Sequence, residues 1–259
     1  MGGAVPHAVK LQEEFGSELQ VVFVEAQSAT HEQMEAFALK YKWLGNDAVW
    51  TKERPFDSGL EGLPSFVLVG ADGTVLEKGR SSTSKTAEAI ENEIAAARKP
   101  PADAPKELHK AWKHFQKGEV AKALSEARKR GEDEGLRDAA ETAVATFEAH
   151  TGARLGRVEW CIENGYMVEA RAQLDDLGRD LKGAGELERR QAELDSRLQS
   201  ADLAGEREAA AALERVLVRL HADGFDKKGK LAHQLEKLVE EHAGTKAAER
   251  ARHLLSLNV

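Results

Sequence analysis

A single cysteine sets the first chemical limit on this chain. Cys161 is alone among 259 residues, so these residues can form neither an intrachain disulfide nor a dithiol redox centre. It falls on the apolar side of a helix, between Trp160 and Ile162, where a buried inert thiol is expected. The nine histidines are the next candidates. His109 and His114 lie five apart, not at the i,i+4 spacing that places two ligands on one helix face. His7, His31, His150, His221, His233, His242 and His253 are scattered among Lys and Glu neighbours, the setting of surface histidines. No metal or other cofactor is expected.

The acidic clusters Glu132-Asp133-Glu134, Asp175-Asp176 and Glu240-Glu241 read as helix caps and solvated faces. They lack the Glu-x-x-His pattern of di-iron bundles. Gly70-Ala71-Asp72-Gly73 is a hairpin turn and not a phosphate loop, because no Lys-Ser/Thr follows it. Trp43, Trp50 and Phe56 read as core in preference to the lining of a peptide groove. The residues with a rival functional reading are Leu63, Pro64 and Ser65, which lead into an apolar strand. There an extended protein or peptide partner could meet free backbone groups by strand addition. The alternative is a turn that preserves shape and holds no ligand.

The bulk numbers narrow the partner class. Charged residues make up 32% and aromatics 5% of the chain, and the mean hydropathy is -0.51, so much of the helix surface is solvated. A net charge of -8 argues against nucleic acid, which needs a basic face. No apolar run reaches the ~20 residues of a membrane span. Residues 1–16 contain no signal-peptide core. On its face that places the protein in the cytoplasm, or outside it if a longer chain carried an export signal upstream.

Residues 5–15 read as a helix, with Val5, Ala8, Val9, Leu11 and Phe15 as its stripe, Pro6 in the first turn and Gly16 as C-cap. Residues 19–25 read as a buried strand. Thr30 caps a helix through Lys40, with Glu32 and Gln33 near the capping-box position. Its buried face is Met34, Phe37, Ala38 and Tyr41. A turn and a short strand at 48–50 follow. An apolar run after Pro64, an Asp72-Gly73 turn and a second run form a hairpin, and a helix spans 84–98. Three prolines in 99–105 make a linker. The expected division is therefore 1–98, the 99–105 linker, and 106–259.

Small-x-Pro, an apolar strand, Asp-x-Gly and a second strand resemble the segment after the cis-proline of thioredoxin-like proteins of the TlpA/ResA type. The resemblance implies an α/β thioredoxin-like domain over residues 1–98 and a cis Leu63–Pro64 bond. It also implies that the helix carrying Pro6 follows the central strand and a Cys-x-x-Cys. Counting back from Pro6, the second cysteine position falls on Met1. The first, central strand and the redox pair are thus absent, and the strands at 19–25 and 65–69 lose the neighbour between them. Two readings stand. One is a redox-inactive protein-binding or assembly module. The other is a thiol–disulfide oxidoreductase whose strand and Cys-x-x-Cys lie upstream of residue 1.

Residues 106–259 read as all-α. Helices are expected at about 106–117, 119–130, 134–150, 154–164, 166–182, 185–200, 204–222, 228–242 and 245–256. Glycines 118, 131, 152, 165, 183, 185, 205, 224 and 244 mark the breaks. Trp112 to Ala123 and Trp160 to Ala170 repeat a pattern in which an inter-helix glycine precedes an alanine by five residues. The two glycines lie 47 positions apart, within the range of two-helix solenoids. Gly-x-x-x-x-Ala after an aromatic helix resembles the turn of tetratricopeptide-like repeats. The segment from Glu241 to Ala251 is similar to their closing helix, with His242-Ala243 where Tyr-Pro is usual. Stacked helical hairpins that bind protein are what this resemblance implies.

Overall fold

The computed structural model describes residues 4–40, 49–53, 59–70, 73–97, 99–178, 181–223 and 229–257. Helices hold 69% of the chain, and the strands are short. The chain divides into two compact units. The first comprises Met1–Ala97, Arg215–Lys237 and Arg252–Val259; the second comprises Arg98–Glu214 and Leu238–Ala251.

In the first unit, α1 (Ala4–Phe15) ends at Gly16, which has a φ of +52° and opens a single 3-10 turn. The buried Gln12 holds the chain as it leaves the helix. Its amide nitrogen donates to the Gly16 and Leu19 carbonyls at 3.0 and 2.6 Å, and its oxygen accepts from the Val21 N–H at 2.6 Å. One buried side chain thus satisfies three main-chain groups left open where helix gives way to strand. β1 (Val22–Val24) is shorter and more exposed than the strand expected at 19–25, and among the described residues it pairs with β2 alone.

α2 (His31–Lys40) starts with a reciprocal cap. The Gln33 N–H donates to Thr30 Oγ1 at 3.2 Å, and the Thr30 N–H donates to Gln33 Oε1 at 2.9 Å. Met34, Ala38 and Leu39 are buried, whereas Phe37, expected inside, is 45% exposed. The buried face is rotated toward Leu39. Tyr41 and Trp43 lie outside the described residues, as does Phe56.

α2 carries the chain across to β2 (Val49–Thr51), which runs parallel to β1 with Val22 opposite Val49 and Val24 opposite Thr51. β3 (Phe66–Val69) and β4 (Val75–Gly79) form an antiparallel pair, with Phe66 opposite Gly79 and a shift after Leu68. The Gly70 N–H donates to the Thr74 carbonyl at 2.8 Å. Gly73, at φ +85°, takes the left-handed conformation that the turn requires. Among the described residues no ladder joins the two pairs. α3 (Ser84–Ala97) closes the segment.

In the second unit, a 3-10 turn leads into α4 (His109–Gln116) and α5 (Val120–Arg130). α6 (Arg137–Glu163), α7 (Met167–Leu177) and α8 (Glu186–Gln199) follow. Trp112, Phe115 and Phe147 form the aromatic core. Phe115 and Phe147 stack at 4.4 Å, and Trp112 meets Phe147 edge-on at 4.8 Å, each pair worth about 0.5–1.5 kcal/mol beyond its buried area. α9 (Ala204–Asp223), α10 (Lys230–Glu241) and α11 (Lys246–Ser256) contribute to both units.

Two expected breaks are corrected. α6 runs through Gly152 as one 27-residue helix, where two helices were expected. Phe147, Thr151, Leu155 and Val158 are buried across that point, which outweighs the roughly 1 kcal/mol that an interior glycine costs. Gly205 sits inside the first turn of α9 and not between helices.

The two kinds of glycine make opposite predictions. A Cβ on Gly165, at φ +76°, would lie 2.7 Å from Lys246 Cβ and 2.9 Å from Glu206 Oε1. A Cβ on Gly152 would meet nothing within 4 Å. Urea unfolding should show Gly165→Ala less stable by about 2–3 kcal/mol, and Gly152→Ala more stable by about 0.5–1 kcal/mol. Destabilisation by Gly152→Ala would contradict a continuous α6.

Candidate functional site

The Leu63-Pro64-Ser65 loop stands just before β3. The Leu63–Pro64 bond is cis, as the resemblance implies. Leu63 is exposed, whereas Pro64 and Ser65 are half-buried. The loop is pinned from β4's far end, where Arg80 Nη2 donates to the Glu61 carbonyl at 3.0 Å. Gly62, at φ +83°, leaves room for that guanidinium, since a Cβ there would lie 3.3 Å from Arg80 Nη2. Next to it, the Phe66 ring crowds Gly79, where an added Cβ would lie 3.0 Å from Phe66 Cε1. The sequence offered no marker for Arg80, because the link spans 19 residues. The loop's three side chains are apolar apart from the Ser65 hydroxyl.

The second candidate surface is the pair of inter-helix turns, and their geometries coincide. At the first, the Gly118 N–H donates to the Phe115 carbonyl at 2.9 Å and the Glu119 N–H to the His114 carbonyl at 3.0 Å. At the second, the Gly165 N–H donates to the Ile162 carbonyl at 3.3 Å and the Tyr166 N–H to the Cys161 carbonyl at 2.8 Å. Both are Schellman closures around a left-handed glycine, at φ +78° and +76°. Ala123 and Ala170, five residues later, are fully buried, so the second helix of each hairpin can approach closely.

Counted from these glycines, Phe115 corresponds to Ile162, and both are buried. Trp160 corresponds to Lys113, not to Trp112. That register explains why Trp112 is buried and Trp160 is 53% exposed. Trp160 stacks on Tyr166 at 5.4 Å, and Arg250 Cζ lies 4.1 Å over the Tyr166 ring. Arg250 also donates to the Gly165 carbonyl at 3.2 Å. The Lys246 and Ala247 N–H groups at the start of α11 donate to the Glu206 carboxylate at 2.9 and 3.0 Å, which caps that helix. Burial in this region, and then Glu169, push the Glu214 carboxyl above its usual range, opposed by Arg250.

A cleft of about 460 Å³ on the same unit is lined by Lys110, His114, Lys122, Ser125, Glu126 and Lys182, among others. Its charges are largely compensated. Lys110 pairs with Glu126 at 3.0 Å, and Lys122 and His114 hold Glu119 at 2.7 and 2.5 Å. Cys161 is buried as expected, with Gln173 Nε2 at 3.9 Å from its sulfur. Two histidines share one carboxylate, since His31 lies 3.7 Å from Glu35 Oε2, which also meets His253. His7 bonds Ser82 at 2.5 Å, and His253 bonds Glu35 at 2.6 Å. No family model, curated protein or solved structure matches the chain.

Hydrogen bonds from Lys122, and then from His114, hold the Glu119 carboxyl down at about 2. A carboxylate with a depressed folded-state pKa stabilises the fold above its unfolded value, and that contribution is lost as the pH falls through the folded one. The window therefore runs from about 4.5 down to about 2. Carbon-detected NMR of Glu119 Cδ should give a midpoint near 2, and Lys122→Met should raise it. A wild-type midpoint in the ordinary glutamate range would contradict the paired arrangement.

Proposed function

We propose that this chain is a protein-binding or assembly module, built from a thioredoxin-type domain without redox activity and a helical-repeat extension. What supports the thioredoxin-type reading is the order of elements: helix, strand, helix, strand, hairpin, helix, with a parallel β1–β2 crossover and an antiparallel β3–β4 pair. The parallel pair and its helix form one βαβ unit. What supports inactivity is composition. Disulfide exchange needs an accessible thiolate beside a resolving thiol, and the only thiol in these residues, Cys161, is buried.

The observation that carries the binding reading is the repeated helix–glycine–helix turn with an aromatic pair beside its second copy. Helical hairpins of this kind expose one face per repeat. Trp, Tyr and Arg are the residue types most enriched among the side chains that dominate binding energy in protein interfaces. Trp160 on α6, exposed, and the half-buried Tyr166 in the turn and Arg250 on α11 stand together here.

Two assays test the proposal. Insulin reduction by dithiothreitol should proceed at the rate of the reductant alone, with wild type and Cys161→Ser indistinguishable; turnover above that rate would overturn the inactive reading. Selection of displayed random peptides against the folded chain should enrich ligands with Kd of about 1–100 µM. Failure to enrich any ligand above background would overturn the binding reading.

A further inference from the structure

Among the described residues, the cleft on the second unit is lined by three lysines and one carboxylate, Glu126. Helical spacing gathers them. Lys110 and His114 stand one turn apart on α4, and Lys122, Ser125 and Glu126 share one face of α5. Lys182 comes from the turn between α7 and α8. Three elements thus bring positive charge to one space of about 460 Å³, on a chain whose net charge is -8. That volume falls within the range of small-molecule pockets.

The charge compensation inside the cleft is incomplete. Glu126 accepts from Lys110 at 3.0 Å and from Arg130 at 3.1 Å. Glu119 accepts from Lys122 at 2.7 Å and meets His114 at 2.5 Å. Each carboxylate is thus shared between two basic side chains. Glu188 is turned onto the Gly183 N–H at 2.9 Å. Lys182 forms no ion pair among the described residues. An ammonium group has three donors, and Lys110 and Lys122 each spend one in these pairs. All three lysines stay exposed. Like charges held together in a concave space concentrate counter-ions there.

The lining also selects the class of anion. Its donors are ammonium groups on flexible stems and the Ser125 hydroxyl, arriving from different elements. A planar carboxylate is matched best by the arginine fork, and no arginine lines the cleft among the described residues. A phosphate group presents its oxygens tetrahedrally and accepts donors from several sides. Ala121 is the one apolar side chain of the lining among the described residues, so a nucleobase or an acyl chain would find little to pack against.

We infer that this cleft binds a small, compact phosphorylated ligand. Lys110, Lys122 and Lys182 hold its phosphate oxygens, and the Ser125 hydroxyl donates to one of them. This is independent of the binding-module reading.

The test titrates the full chain with inorganic pyrophosphate at constant ionic strength, followed by calorimetry and by backbone amide NMR. Saturable binding is expected, with shifts at Lys110, Lys122, Ser125 and Lys182. Lys110→Met, Lys122→Met and Lys182→Met should each weaken it about tenfold, the ratio that one charge-assisted hydrogen bond supplies. Lys182→Met is the sharpest variant, because it breaks no ion pair among the described residues. Lys113→Met removes the same charge from an exposed position of α4 outside the lining and should leave the affinity within about twofold, as screening of exposed charges requires. An equal loss in Lys113→Met and Lys182→Met would reduce the effect to general charge attraction and overturn the inference. Absence of saturable binding, or an affinity unchanged in all three cleft variants, would overturn it too. A phosphoserine peptide that binds where pyrophosphate does not would also overturn it, and would give the cleft to a protein partner instead.

Discussion

The constraint on which the first unit depends is main-chain pairing. A strand inside a sheet makes hydrogen bonds on both sides; among the described residues β1 forms a ladder with β2 alone, and β3 with β4 alone. That limit explains why β1 stops at three residues and why its valines stay partly exposed. It also explains why so much of the packing in this unit comes from helices. Local devices compensate where they can. Gln12 gathers three main-chain groups at the end of α1, and Thr30 and Gln33 cap α2 reciprocally. Arg80 ties the loop before β3 to the end of the hairpin. None of these adds a strand to either pair.

The second unit is governed by a different and fully satisfied constraint. A helix leaves its last carbonyls without partners, and a left-handed residue after the helix brings the following N–H groups back to them. Gly118 and Gly165 do this in the same way, and buried alanines then let the next helix pack closely. Gly244 is also left-handed, at φ +87°, but there the Thr245 N–H donates to the His242 carbonyl at 3.1 Å, and Thr245 Oγ1 caps the next helix by accepting from the Ala248 N–H at 3.1 Å. The result is that the main chain at these turns is closed within the unit.

How much of this was legible in the sequence follows from the same physics. Positive-φ turns were legible, since Gly118, Gly165, Gly183, Gly185 and Gly244 all adopt them and other residues rarely do. Gly152 and Gly205 were misread because glycine permits a break without compelling one, and packing of Phe147, Leu155 and Val158 keeps α6 whole. Phe37 was misplaced because α2's stripe admits two rotations and tertiary contacts choose between them. The Leu63-Pro64-Ser65 loop was visible through its proline. Its anchor Arg80 was not, nor was Gln12, whose burial depends on how the chain turns after Gly16. The exposure of Trp160 was recoverable in principle by counting from Gly165 instead of matching tryptophans.

The account's central claim is that, among the described residues, the strands of the first unit pair as β1 with β2 and β3 with β4. Scalar couplings across hydrogen bonds, measured by NMR on the isolated, isotope-labelled chain, identify donor and acceptor directly. The claim predicts couplings linking β1 with β2 and β3 with β4, and none joining β1 to β3. A coupling that joins β1 to β3 would contradict it.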